Sequence, residues 1–198
     1  MSEGQQLEAT LFTKSDAANV NQSLQIFKQA FQDDALFIFL NKNREYVGQS
    51  VVDYATSALE AAHDGAFLAI ADFSCVVWLY SVPEQMPIDS DQQHAPVFPQ
   101  MEETFHGWHS NFYKAHGPFL YFGMVATLPS MQHRGLANKL LKKATSLADE
   151  QRRWSWVEAS SPGSSRLYAK HGFKTVHECV LQPGCPPLFF MERAPAVP

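Results

Sequence analysis

FLYFGMVATLPSMQHRGLANKLLKKATSLA, residues 119–148, reads as strand, short loop and helix. Its first part, Phe119 to Leu128, is apolar and lies between Pro118 and Pro129, as a buried strand bounded by breakers does. Its last part places Leu136, Leu140, Leu141, Ala144, Leu147 and Ala148 on one face of a helix, with Lys139, Lys142, Lys143 and Asp149 elsewhere. Between them runs Gln132-His133-Arg134-Gly135-Leu136-Ala137. The first N–H groups of a helix have no partner within the helix and carry the positive end of its dipole. A small-residue turn from Gly135 to Ala137 would let an anion approach that backbone, with His133, Arg134 and Lys139 adding positive character. The plainer alternative is an ordinary turn whose glycine relieves strain. Two other phosphate loops are excluded. A P-loop needs Lys and Ser/Thr after its last glycine, and here Leu136 and Ala137 follow Gly135. A dinucleotide fingerprint needs three glycines, and this loop has one.

The 198 residues are 45% hydrophobic and 18% charged, which suits one globular domain over residues 1–198. A net charge of −5 argues against nucleic acid as a partner and is compatible with a cationic amine. Cys75, Cys179 and Cys185 are odd in number and lack metal-ribbon spacing, so the chain reads as reduced and cytoplasmic. Residues 1–6 are polar, with no secretory signal, and no apolar run approaches a membrane span of roughly 20 residues.

Leu7 to Lys14 reads as a short strand and Ser15-Asp16 as the cap of a helix running through Phe31. Ala35 to Leu40 fits a helical turn or a strand. Val51 to His63 reads as a helix. Ala66 to Ala71 and Cys75 to Ser81 form a hairpin around Asp72-Phe73-Ser74. Glu84 to Pro99 is polar and punctuated by proline, a loop long enough to serve as a lid. Met101 to Ala115 is a helix with Gly107 as its weak point. Strands are expected at Trp154 to Ser160, Phe173 to Val180 and Leu188 to Glu192. Ser161 to Ser164 reads as a turn leading into a helix from Ser165 to His171.

Gln132, Gly135 and Ala137 match the pattern Q/R-x-x-G-x-G/A, directly after a strand ending in Ala-Thr-Leu-Pro. Tyr168-Ala169-Lys170-His171-Gly172-Phe173 matches Y-x-x-x-G-F at a suitable distance downstream. On both motifs the chain resembles the GNAT superfamily of N-acetyltransferases, firmly over the half from about Phe119. The resemblance implies an α/β GNAT-type fold: a mixed, mostly antiparallel sheet flanked by helices and splayed between the fourth and fifth strands. Residues 84–117 would be an insertion beside the acceptor site. It further implies that acetyl-CoA is the co-substrate. Val125, Ala126 and Thr127 would hold its pantetheine arm like an added strand. Gln132 would start the loop, and backbone N–H groups from His133, Arg134, Gly135, Leu136, Ala137 and Asn138 would hold its pyrophosphate. An amine would attack the thioester directly, the oxyanion being stabilised by a main-chain N–H near Val125 or Ala126.

In that setting Tyr168 is the candidate general acid, since a tyrosine hydroxyl keeps its proton at neutral pH. The competing role is packing of the last helix. The base that takes the amine's proton is open among Glu158, Glu102, Glu103, His109 and His116. His106 and His109 stand at i, i+3, but without an H-E-x-x-H pattern no metal is expected. Trp78, Trp108, Phe112 and Tyr113 could line an acceptor pocket, although aromatics at helical spacing more often pack a core. The expected activity is acetyl transfer to the amine of a small molecule. A protein N-terminus or lysine is the alternative acceptor, and a non-catalytic acyl-CoA sensor is the alternative class.

Overall fold

The computed structural model describes residues 8–42, 47–61, 64–70, 72–82 and 97–196. In chain order the elements are β1 (Ala9–Thr13), α1 (Ala17–Ala30), α2 (Ala35–Leu40), α3 (Val47–Ala61), β2 (Asp64–Ile70) and β3 (Cys75–Val82). They continue with α4 (Pro99–His116), β4 (Phe119–Thr127), α5 (Leu136–Glu150), β5 (Trp154–Ala159), α6 (Pro162–Ala169), β6 (Lys174–Cys179) and β7 (Leu188–Arg193). The strands form one sheet in the order β1-β2-β3-β4-β5-β7-β6. Only β4 and β5 run parallel; the other neighbours are antiparallel.

Local chemistry sets the helix starts. The Asp16 side chain accepts from the Asn19 N–H and opens α1. The Asp34 side chain accepts from the N–H groups of Leu36 and Phe37, which settles the ambiguous run 35–40 as a helix. Pro99 opens α4, where the Glu102 carboxylate accepts from the Phe98 N–H at 2.7 Å. The helix runs through Gly107 without a break. Ser161 to Ser164 is a helix start rather than a turn. Ser161 caps α6 in a reciprocal pair of hydrogen bonds with Ser164, and Pro162 sits in the first turn. Ala71, His63 and residues 83–96, which hold most of the expected loop, lie outside the described residues.

Alternation along the strands divides the core between the two faces of the sheet. One face carries Trp78, Phe119, Met124 and Trp156 against α1, α2, α3 and α4. The other carries Leu79, Leu120, Phe122 and Val157 against α5 and α6. The amphipathic stripe expected in α5 is buried at Leu136, Leu140, Leu141, Ala144 and Ala148.

Gly123 is an extra residue in β4. Phe122 pairs with Leu79 and Met124 with Trp78, leaving Gly123 as a bulge. A Cβ there would stand 2.2 Å from Cε2 of Tyr80. Tyr80 is itself buried, edge-on to Trp78 and stacked on Tyr121. Gly123→Ala is therefore expected to destabilise the fold by about 1–3 kcal/mol in denaturant unfolding. An unchanged midpoint would show that the bulge tolerates a side chain.

Candidate active site

β4 and β5 pair only at Phe119–Trp154, Leu120–Ser155 and Tyr121–Trp156. Beyond those three rungs β4 turns from its neighbour at the Gly123 bulge, and its edge from Phe122 to Thr127 has no β5 partner. A cavity of about 210 Å³ occupies the opening. Val125, Ala126 and Thr127 line it from β4, Ser164 and Tyr168 from α6, and Phe37, Tyr54 and Phe105 from the helices of the opposite face.

Glu158 sits in its wall on β5. The side chain is only 2% exposed. One carboxylate oxygen, Oε1, accepts from Trp156 Nε1 at 2.5 Å and lies 2.8 Å from His109 Nε2. The other oxygen, Oε2, is buried and makes no hydrogen bond. A buried carboxylate oxygen without a donor is costly, and in a cavity wall it suits a ligand that brings one. His109 reaches Glu158 from α4 and packs edge-on against Tyr121 at 4.5 Å between ring centres. Burial, and then the Glu158 charge, hold the hydroxyls of Tyr121 and Tyr54 well above the ordinary tyrosine range.

Tyr168 is 6% exposed and lines the same cavity. Its hydroxyl is also raised, by burial first and then by the charges of Glu158 and Cys75. It therefore keeps its proton throughout the physiological range. Asp34, Gln132, Ser160 and Ser161 add to the polar lining, and among the described residues no lysine or arginine contributes to it.

His133, Arg134, Gly135, Leu136, Ala137 and Asn138 form the loop and first turn of α5 beyond Gln132. Gly135 is the helix cap and adopts a left-handed conformation with φ +78°. No side chain caps the N-terminus of α5, so its first N–H groups lack a side-chain acceptor. Only open space surrounds the position of a Cβ on Gly135.

The structure brings together Glu158 and His109 and separates the other base candidates from them. Glu102 is engaged at the start of α4. Glu103 is exposed. His116 stacks on Trp154, with ring centres 3.8 Å apart. Trp78 and Phe112 are core residues, while Trp108 and Tyr113 pack against that core; none lines the cavity. The rings that do so are Phe31, Phe37, Tyr54, Phe105, Tyr121 and Tyr168. Of these, sequence reasoning singled out only Tyr168; it missed Phe31, Phe37, Tyr54 and Asp34, which come from the N-terminal half where no motif marks them, and it gave Phe105 and Tyr121 no pocket role. It also missed the role of Gly123, although a glycine inside an apolar strand is itself a bulge signal. Among the described residues, no group of three or more His, Cys, Asp or Glu is arranged to hold a metal ion, and no helix is long and apolar enough to cross a membrane.

The sheet is thus mixed and parted between its parallel strands, with an uncapped helix N-terminus following the gap in the chain. The family model described as the acetyltransferase (GNAT) family matches residues 25–173, and the chain belongs to that family. Several solved structures share its fold. Arylalkylamine N-acetyltransferase 2 from Aedes aegypti is 14% identical with a TM-score of 0.64, over 94% of this chain and 99% of that one. A structure from Corynebacterium glutamicum, described as histone acetyltransferase HPA2 and related acetyltransferase, is 16% identical with a TM-score of 0.62, over 96% and 98%. The C-terminal condensation domain of Ebony, in complex with beta-alanyl-dopamine, is 9% identical with a TM-score of 0.70, over 95% and 99%. A comparison with curated protein sequences finds no match.

Proposed function

We propose that this protein is an N-acetyltransferase that moves an acetyl group directly from acetyl-CoA to the amine of a small molecule. The observation that carries the reading is the buried, donorless Oε2 of Glu158 in the wall of a cavity that opens between β4 and β5. Solved structures of the same fold include a mosquito arylalkylamine N-acetyltransferase and an arylalkylamine N-acetyltransferase-like protein, which supports a small amine. The unpaired β4 edge can hydrogen-bond an extended ligand such as a pantetheine arm. The free N–H groups of α5, beside Gly135, suit its pyrophosphate.

In this reading the acceptor enters as an ammonium and donates to Glu158, which removes a proton and leaves a nucleophilic amine. The nitrogen attacks the thioester carbonyl, a C–N bond forms, and the oxyanion is held by a main-chain N–H near Val125 or Ala126. The C–S bond then breaks and Tyr168 gives its proton to the departing thiolate, the acetylated nitrogen sheds its second proton to restore the Tyr168 hydroxyl through water, and Glu158 returns the first proton to solvent. A covalent acetyl-enzyme is not needed. Burial pushes the Cys75 thiol up to about 11 and raises Cys179 and Cys185 as well, so none is poised as a thiolate nucleophile.

Thiol release from acetyl-CoA against a panel of amines tests this reading. Release that depends on an amine is the expected result; acetyl-CoA binding without turnover would favour a sensor. Tyr168→Phe is expected to lower kcat by roughly 10-fold to 100-fold with little change in acetyl-CoA affinity. An unchanged kcat would leave Tyr168 as a packing residue.

A further inference from the structure

Glu158 can remove a proton only if it presents an oxygen to the acceptor, and two side chains decide which oxygen that is. Trp156 Nε1 and His109 Nε2 both meet Oε1, at 2.5 Å and 2.8 Å. Oε2 has no hydrogen-bond partner among the described residues. An ionised carboxylate only accepts hydrogen bonds, so the proton shared with His109 sits on Nε2. The two donors come from different elements. Trp156 stands two residues before Glu158 on β5, and so on the same face of the strand. His109 reaches in from α4. Other rings hold its imidazole edge-on: Tyr121 at 4.5 Å between ring centres, Phe119 at 5.9 Å and Trp156 at 6.3 Å. That packing keeps Nε2 turned to Glu158.

From this we infer that His109 is a positioning residue for the transfer reaction: its Nε2–H, with the Trp156 indole, holds Oε1 so that Oε2 alone meets the acceptor ammonium. The inference rests on the acyl-transfer reading above and deepens it. It takes His109 out of the set of candidate bases and makes it act through Glu158. The last torsion of a glutamate is broad and selects no single setting of the carboxylate plane by itself. Two donors on one oxygen supply that selection. A donor to the charged form also favours the ionised carboxylate, the state the base must be in before the acceptor arrives. Precision matters at this point, since a misplacement of about 1 Å at a reacting group can cost about 100-fold in rate.

Two substitutions separate the hydrogen bond from the ring. His109→Phe keeps a ring against Tyr121, Phe119 and Trp156 but has no N–H. His109→Gln gives up the ring and carries an amide N–H at about the reach of Nε2. Rates are read at saturating acetyl-CoA with whichever of spermidine, hexylamine and 2-phenylethylamine the wild type acetylates fastest. His109→Phe is expected to lower kcat roughly 10-fold to 100-fold, and His109→Gln to recover most of that loss. In the Glu158→Gln background, His109→Phe is expected to change kcat by no more than about 2-fold, because the group it positions is already gone. Full activity in His109→Phe would make His109 a packing residue and overturn the inference. A further loss of about 10-fold or more in the Glu158→Gln background would also overturn it, since His109 would then act on the substrate itself. Failure of all three amines to release thiol removes the transfer reading instead. Nitrogen NMR of the His109 ring, which needs no substrate, then decides the contact. A proton on Nε2 at neutral pH supports it, and a proton on Nδ1 alone overturns it.

Discussion

Replacing Glu158 by Gln is expected to lower kcat by about 10²-fold to 10⁴-fold while acetyl-CoA affinity stays nearly unchanged. The substitution is close to isosteric. The amide oxygen of Gln can still accept from Trp156 and from His109, the two donors that now fix Oε1. What disappears is the negative charge and the basic oxygen that has no partner. A free alkyl ammonium has a pKa of about 10.4, so almost none of it is nucleophilic at neutral pH without a base. A defect in kcat that shrinks at alkaline pH, where solvent removes the proton, would mark the loss of a base rather than of packing. An unchanged kcat would exclude Glu158 from the reaction and return the choice to the four other carboxylate and histidine candidates.

The second large effect is expected at the loop. Gly135→Glu should weaken coenzyme A binding by at least about 100-fold, equivalent to about 2.7 kcal/mol, with the fold retained. Two causes add. The new carboxylate stands at the helix N-terminus where a pyrophosphate would sit, and the left-handed backbone at φ +78° disfavours any side chain with a Cβ. Gly135→Asn separates them. Asparagine tolerates that conformation and carries no charge, so most of the affinity should return. Equal losses in the two variants would show that the glycine conformation, not the anion site, is what matters. Full binding by Gly135→Glu would move the pyrophosphate elsewhere.

The parts of this molecule that can be read from sequence are those whose signals are local. The strand Phe119–Thr127 stands between prolines, and the stripe of Leu136, Leu140, Leu141 and Ala144 has helical spacing, so β4 and α5 are legible without any partner in view. The start of α6 was obscured by its own composition. Ser-Pro-Gly-Ser is rich in turn formers, but serine as cap and proline in the first turn also open helices. The run 35–40 is equally apolar as helix or strand, and only the Asp34 side chain, bonding two N–H groups, decides it. The base was illegible for a different reason. His109 and Glu158 are 49 residues apart and meet only because α4 crosses the face of the sheet above β5. Likewise, the donorless oxygen that singles out Glu158 depends on how Trp156 and His109 share the other one. Sequence offers five candidates and no means of ranking them.

The seat of the co-substrate is the central claim, and amide hydrogen exchange with and without coenzyme A tests it most directly. The account predicts new protection in two separate segments, Gly123 to Thr127 on the unpaired edge of β4 and Leu136 to Lys139 at the start of α5. Protection confined to other elements, or none at saturating ligand, would contradict it.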